Sequence, residues 1–254
     1  MSQISPNDGF VFITGAGSGL GRALSAELVK AGFTVVGAGR RHSALAETAA
    51  MLGDKFQPVV LDVSDARATQ HVFAERIKAN GPLAILINNA AVYPHRDILD
   101  ETPDSFAKTI QINLGGVFNC SHAALQDMAP RGFGRILNVA SMADIDPLPC
   151  SAAYSVSKGA VTILTRAMVA DLGDRFPGIA IGDWLPGMLQ TSMGIPNGLQ
   201  PEKAAKWGAK LARMNDPSLN GAVFEMGAEI LPVRGLRGKI KDFLLMRKRK
   251  PRQI

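Results

Sequence analysis

The sequence predicts an α/β chain, a doubly wound, seven-stranded parallel sheet with helices on both faces, folded as a single domain. Three observations predict it. Short runs of apolar, β-type residues recur along the chain, each followed by a segment with helical spacing. The first run ends in a glycine-rich turn, Gly15-Ala-Gly-Ser-Gly-Leu-Gly21, that opens a helix. A length of 254 residues with 46% hydrophobic and 20% charged content supplies a large core, with no repeat or low-complexity stretch to interrupt it. Strands alternating with helices pair in parallel through crossovers, and such sheets bind ligands beyond the carboxyl ends of their strands.

Residues 9–14 form the first apolar run and 22–31 the helix after the glycine turn, with Leu24, Leu28 and Val29 on one face. Residues 33–37 are a second strand, 43–52 a second helix and 56–61 a third strand closed by Asp62-Val63-Ser64-Asp65. Asp65 is placed to cap a helix running to about residue 78. A fourth strand, 83–87, ends in Asn88-Asn89-Ala90-Ala91, and a long amphipathic helix follows at 104–128. The remaining strands are 134–140, 179–185 and 222–226, separated by helices at 152–172 and 201–214. The glycine turn, the Asn pair, the segment after the fifth strand and Pro186-Gly187 after the sixth therefore converge on one edge.

Composition narrows the function classes. The longest apolar runs, such as 83–87, fall far short of a membrane span, and residues 1–10 carry no signal-peptide pattern. Two cysteines, Cys120 and Cys150, imply no disulfide framework, so a reducing cytoplasm is the expected location. The histidines have no ligand spacing with them, and no metal site is expected. The formal charge of +6 comes from the end of the chain: residues 234–254 hold nine Lys or Arg against the single acid Asp242, leaving 1–233 slightly acidic. The domain division is therefore 1–233 for the α/β unit and 234–254 for a basic tail, part helical through Ile240, Phe243, Leu244 and Leu245. The preferred reading of the tail is a helix packed over the substrate side with a solubilising end. The alternative is a basic amphipathic helix on an anionic membrane surface. With one aromatic and no recognition motif there, nucleic acid is not an expected partner.

Residues 151–158, Ser-Ala-Ala-Tyr-Ser-Val-Ser-Lys, are the candidate for chemistry, the bland alternative being a Tyr on a buried helix face and a Lys reaching out to water, which the spacing alone favours. Four apart on a helix, Tyr154 and Lys158 point into one space. A phenol ionises near pH ~10 in water. An ammonium ~4 Å away favours the phenolate by about 4 kcal/mol at an effective dielectric of ~20, enough to bring that ionisation toward neutrality. Such a tyrosine is a proton donor and acceptor.

The wider set of motifs resembles the short-chain dehydrogenase/reductase family over roughly residues 9–226. Thr14-Gly15-x-x-x-Gly19-x-Gly21 matches its Thr-Gly-x-x-x-Gly-x-Gly turn, and Asn88-Asn89-Ala90 its Asn-Asn-Ala-Gly element, with Ala91 where Gly is usual. Asn113 matches the catalytic Asn, Ser141 stands thirteen residues before Tyr154, and Pro186-Gly187 with Thr191 matches the element over the nicotinamide. The resemblance implies a Rossmann-type fold and hydride transfer between a nicotinamide and a carbonyl or secondary alcohol. It implies Tyr154 as general acid/base, with Lys158 lowering its pKa and holding the nicotinamide ribose. Ser141 would orient the substrate oxygen, and Asn113 would anchor a water leading from Lys158 to solvent. Cofactor contacts would come from Gly15, Ser18, Gly19, Leu20, Gly21, Asp62, Val63, Asn89, Ala90, Pro186, Gly187, Leu189 and Thr191. At the end of the second strand Gly39 replaces the acid that would hydrogen-bond ribose hydroxyls, and Arg40 and Arg41 follow; guanidinium groups suit a 2′-phosphate, so NADP(H) is preferred over NAD(H).

The resemblance further implies a homodimer or homotetramer through helices 104–128 and 152–172. Two departures bear on the substrate: Ile181-Gly182-Asp183-Trp184 stands where Val-Asn is frequent, and only nine residues separate Thr191 from Pro201, a short lid. Tyr93, Met142, Asp144, Leu148, Cys150, Leu189 and Met193 are the substrate-facing candidates, with Cys150 as pocket lining because no base partner is visible. The rival reading is a non-catalytic NADP-binding regulator or membrane-docked redox sensor, which the intact Asn113–Ser141–Tyr154–Lys158 set disfavours.

Overall fold

The computed structural model describes residues 2–231 and 250–254; the helix expected within the basic tail lies outside them. In chain order the elements are β1 (Ser2–Gln3), β2 (Phe10–Thr14), α1 (Gly19–Lys30), β3 (Val35–Gly39), α2 (His42–Leu52), β4 (Phe56–Val60), α3 (Ala66–Asn80), β5 (Leu83–Asn88), α4 (Pro103–Ile110) and α5 (Gly116–Arg131). They continue with β6 (Gly134–Val139), α6 (Ala152–Leu172), β7 (Ile179–Leu185), α7 (Pro201–Arg213), β8 (Met214–Asn215), β9 (Val223–Glu225) and β10 (Ala228–Ile230). β1 and β8 form a separate two-stranded clip.

The main sheet runs β10-β9-β7-β6-β5-β2-β3-β4. Seven of its strands are parallel, as the sequence predicts; β10 adds an antiparallel eighth at the edge, paired with β9. Three residues are too few to display an alternation, which is why β10 is not legible as a strand. The chain winds outward from β2 through β3 and β4 on one side, and through β5, β6, β7 and β9 on the other. The topological switch point is thus the gap between the carboxyl ends of β2 and β5.

Alternation along the strands divides the core in two. Val11, Ile13, Ala180 and Trp184 pack with Leu24, Leu28, Leu45 and Ala209 from α1, α2 and α7. Phe10, Phe12, Ile136 and Ile181 pack on the other face with Phe73, Cys120, Ala124 and Met168 from α3, α5 and α6. Strands buried on both faces read as continuous apolar runs, and β5, Leu-Ala-Ile-Leu-Ile-Asn, is buried throughout.

Between α4 and α5 the expected single helix is interrupted by a π-helical turn, Gln111–Gly115. Its extra residue per turn rotates Ile112 and Asn113 inward, and both are buried. The chain end returns to the sheet edge. The backbone N–H of Glu229 donates to the Arg252 carbonyl (2.9 Å) and that of Ile254 to the Gly227 carbonyl (2.9 Å). The Arg252 guanidinium grips the Glu229 carboxylate with two bonds of 2.6 and 2.7 Å and reaches Ser218 Oγ at 2.8 Å. This is a fork-on-carboxylate geometry at a partly buried site.

Candidate active site

The glycine turn and the end of β5 are tied together before any ligand is considered. Thr14 Oγ1 accepts from the backbone N–H groups of Asn89 and Ala90, both at 2.9 Å. Asn89 Nδ2 in turn donates to the Thr14 carbonyl at 2.9 Å and the Gly15 carbonyl at 3.3 Å. A Cβ on Gly21 would lie 2.1 Å from the Gly15 carbonyl oxygen, so the turn closes on its own helix only with glycine there. Gly19 has φ +50, and a Cβ there would meet the Thr191 methyl at 3.1 Å. The turn after β2 and the loop after β7 are therefore neighbours across the switch point. α1 begins at Gly19, so its free N–H groups and positive dipole end face this cradle.

Arg22 is a cradle residue that the motif reading passes over. Its Nη2 donates to the Gly17 carbonyl at 2.6 Å and pairs with Glu47 at 2.9 Å, while Nε donates to Thr48 Oγ1 at 3.0 Å. It locks the turn to α2. Arg40 and Arg41 are exposed beside it, and Arg41 Nη2 lies 3.4 Å from Ser18 Oγ. Leu20 is buried under the turn. On the far side, Asp62 Oδ1 accepts from Ser64 N and Oγ (3.0 and 2.7 Å). Burial pushes the Asp62 carboxyl up, yet those bonds and the charges of Arg40 and Lys108 prevail and hold it below the ordinary range. Val63 turns its side chain into α5, where Gly116 leaves room for it. An anionic dinucleotide fits this cradle: a glycine floor that a Cβ would fill, a helix N-terminus, and two exposed guanidinium groups where an acid would repel a phosphate.

The chemistry-bearing set gathers at the carboxyl ends of β5 and β6. Ser141 follows β6; its hydroxyl accepts from Ala143 N at 3.2 Å and lies near enough to the Tyr154 phenol to pull its pKa down. Tyr154 stacks on Tyr93 with ring centroids 4.3 Å apart, and Tyr93 lies against His95 at 4.0 Å. Lys158 Nζ donates to the Val139 carbonyl at 2.7 Å and lies 5.8 Å from the centre of the Tyr154 ring. Asn113 reaches the cluster through the π-turn: Nδ2 donates to the Val92 carbonyl (2.9 Å) and Ser157 Oγ (3.0 Å), and Oδ1 accepts from Val92 N (2.8 Å). It holds the strand exit of β5 against α6.

One expectation is corrected here. Burial, the larger effect, raises the Tyr154 pKa; the Ser141 hydrogen bond lowers it, and Tyr93 adds to the rise. Lys158 Nζ, 5.8 Å from the ring centre, donates to the Val139 carbonyl and does not reverse that direction. Burial also brings the ammonium down to about 8, with Asp183 opposing.

Asp183 is the second residue that motif reading passes over. A seam of side chains crosses the sheet beneath Lys158: Asn88 Nδ2 donates to Asn138 Oδ1 (2.8 Å), Asn138 Nδ2 to Thr165 Oγ1 (2.9 Å), and Thr165 to Asp183 Oδ1 (2.5 Å). All four are buried. Burial pushes the Asp183 carboxyl up to about 7 against the pull of these bonds and of Arg135 and Arg166. Its only sequence signal is the departure Gly182-Asp183 within an otherwise apolar strand.

The loops that carry the substrate-facing candidates are less tightly built. Met142 and Leu148 are exposed, Cys150 is half-buried at φ +60, and Asp144 packs its Cβ against Gly159. Arg96 N donates to the Cys150 carbonyl at 3.2 Å, joining the loops after β5 and β6. Met193 is exposed, whereas Leu189 packs against the core under α1 and α7 and bridges Leu199, so its side chain anchors the loop. Pro186 is buried and Gly187 follows at φ +87. A wall residue outside the predicted set is Met226: its Cε lies 2.9 Å from where a Gly187 Cβ would be, and its carbonyl is held by Trp184 Nε1 at 3.0 Å. Among the described residues no helix is long and apolar enough to cross a membrane.

The short chain dehydrogenase family profile matches residues 9–201. Carbonyl reductase [NADPH] 2 of Sus scrofa is 35% identical over 195 residues, 76% of this chain and 77% of its own length. L-xylulose reductase of Mesocricetus auratus is 33% identical over 193 residues, 76% of each chain. Probable oxidoreductase EphD of Mycobacterium tuberculosis is 35% identical over 196 residues, 75% of this chain, but the match spans only 33% of that longer protein. The glycine cradle at the switch point, the Ser141–Tyr154–Lys158 cluster and a profile match over about three quarters of the chain agree, and the chain belongs to the short-chain dehydrogenase family.

Proposed function

We propose that the protein is an NADP(H)-dependent oxidoreductase acting on a carbonyl or secondary alcohol, with Tyr154 as general acid/base. The observation that carries the reading is the gathering of Ser141, Tyr154 and buried Lys158 at the carboxyl ends of β5 and β6, with the glycine cradle at the same switch point. The nicotinamide supplies or accepts the hydride. Gly15, Gly19, Gly21 and the first turn of α1 hold the pyrophosphate, and Arg40 and Arg41 take the 2′-phosphate. Ser141 donates to the substrate oxygen and holds it over Tyr154. Tyr154 then gives its proton to the developing alkoxide in reduction, or takes it in oxidation. Lys158, its Nζ anchored on the Val139 carbonyl, holds the nicotinamide ribose. Asn113 keeps the β5 exit loop and α6 in register through Val92 and Ser157. The name of the porcine relative supports the NADP preference, and the missing acid at Gly39 supports it independently.

The test follows absorbance of NADPH against a panel of aldehydes, ketones and secondary alcohols. Tyr154→Phe keeps the ring stacking and removes the proton, so kcat should fall by about 100-fold or more with a small change in KM. Unchanged turnover in that variant, or tight NADPH binding with no turnover of any panel member by the unaltered protein, would refute the reading. The second outcome would favour a non-catalytic NADP-binding regulator.

A further inference from the structure

We propose that the substrate is an uncharged, apolar ketone or secondary alcohol, with an aliphatic chain or alicyclic skeleton, and not a polyhydroxylated sugar. The inference rests on the oxidoreductase reading and names its substrate class. Exposed large aliphatic side chains gather on the loops that leave the carboxyl ends of β5, β6, β7 and β9, the end where Tyr154 lies. Met142, Ile145 and Leu148 follow β6, Met188 and Met193 follow β7, and Met226 follows β9; Ile145 is 72% exposed and Met188 62%. Methionine is flexible and polarisable, and fits apolar ligands of varied shape. A second group of exposed apolar residues, Phe118, Val156 and Ile163, lies on helices α5 and α6 and not on these loops.

Two further observations separate a substrate rim from a merely loose surface. Cys150 and Met226, the only non-glycine residues with positive φ among the described residues, both belong to these loops. Such backbone costs free energy, and here bonds from Arg96 N to the Cys150 carbonyl and from Met226 N to the Leu185 carbonyl (2.7 Å) hold it in place. Several polar side chains of these loops are engaged by the protein itself. Arg96 pairs with Glu101 at 3.4 Å, Asp97 accepts from Leu99 N, Ser151 from Ser155 or the reverse, and Thr191 Oγ1 from Gly194 N. A sugar would bring several hydroxyl groups to a rim dominated by aliphatic side chains, where each buried hydroxyl left unpaired is costly. The carboxylates of Asp144 and Asp146 on the same loop would repel an anion, which disfavours keto acids as well.

A homologous series tests this. The 2-alkanones from 2-butanone to 2-decanone are assayed with NADPH beside L-xylulose and erythrulose. Burying a methylene contributes about 0.8 kcal/mol, so kcat/KM should rise about three- to fourfold per added carbon over several carbons, and ketoses should trail by at least 100-fold. Ile145→Ser combined with Leu148→Ser should flatten that rise, lowering the 2-octanone value more than the 2-butanone value. Binding of the matching 2-alkanols in the presence of NADP, followed by calorimetry, gives the same slope without turnover. A series flat in both measurements, or ketoses preferred, would overturn the proposal while leaving the oxidoreductase reading intact. Self-association abolished by the two serine substitutions, with a flat series, would assign the rim to a second copy of the chain. Inertness toward every carbonyl combined with chain-length-dependent binding would spare this proposal and defeat the catalytic one.

Discussion

The two sides of the switch point are built on opposite principles. On the cradle side, Thr14, Asn89 and Arg22 hydrogen-bond the backbone of the turn and of the β5 exit, and a single added methyl at Gly21 would overlap a carbonyl. On the substrate side, loops of exposed methionine, leucine and isoleucine are joined by a few backbone bonds. The difference teaches where variation can enter. A cofactor common to many reactions calls for a rigid, backbone-defined cradle, whereas a substrate wall can change by side-chain replacement without disturbing the sheet.

That contrast can be broken by mutation. Gly21→Ala should cost stability by about 1–3 kcal/mol, since the new Cβ meets backbone that cannot yield, and should weaken NADPH binding by at least tenfold. For a domain of this size that is about 2–4 °C of Tm per kcal/mol. Leu99→Ala, on the exposed substrate side, should stay within about 0.5 kcal/mol. Equal losses in thermal melts of the two variants would erase the distinction. A smaller effect is expected at the edge of the cradle. Arg40→Ala should raise KM for NADPH about tenfold, near the 1.4 kcal/mol of a charged hydrogen bond, and leave KM for NADH unchanged. Parallel changes for both cofactors would remove Arg40 from the phosphate site.

A pH-dependent effect belongs to the buried seam that joins the two sides. Asp183 is raised from an ordinary 3.8 to about 7, so between those values the folded chain keeps a proton that the unfolded chain releases. Stability contributed by this group is therefore present below pH ~4 and is lost as pH climbs to about 7. The groups bearing on it are Arg135 from β6 and Lys158 and Arg166 from α6, all cationic; Thr165 donates to it, and Asn138 donates to Thr165. Asp183→Asn retains an acceptor for Thr165 and removes the titration. Its Tm relative to the unaltered protein should rise between pH 5 and pH 7 and level off above; a difference independent of pH would show that the carboxyl does not titrate in that range.

Much of this was legible in the sequence because it is local. Strands buried on both faces announce themselves as apolar runs, and the spacing of Tyr154 and Lys158 follows from helix geometry alone. The return of the chain end was hidden, because Arg252 meets Glu229 across 23 residues and three-residue β10 has no pattern of its own. Asn113 was legible as a motif residue, but not its manner of entry, since a π-turn leaves no periodic trace. Met226 and Arg22 carry no motif and become visible only by what they touch.

By itself the sequence determined the alternation of strands and helices, the glycine turn, and the residue types available for proton and hydride chemistry. These depend on spacing along the chain, and spacing is what a sequence records. Only the tertiary structure decided that Lys158 points at the Val139 carbonyl, that burial raises Tyr154 instead of lowering it, and that a carboxyl lies in the seam beneath. Burial and distance between remote residues set ionisation, and neither exists until the chain has packed.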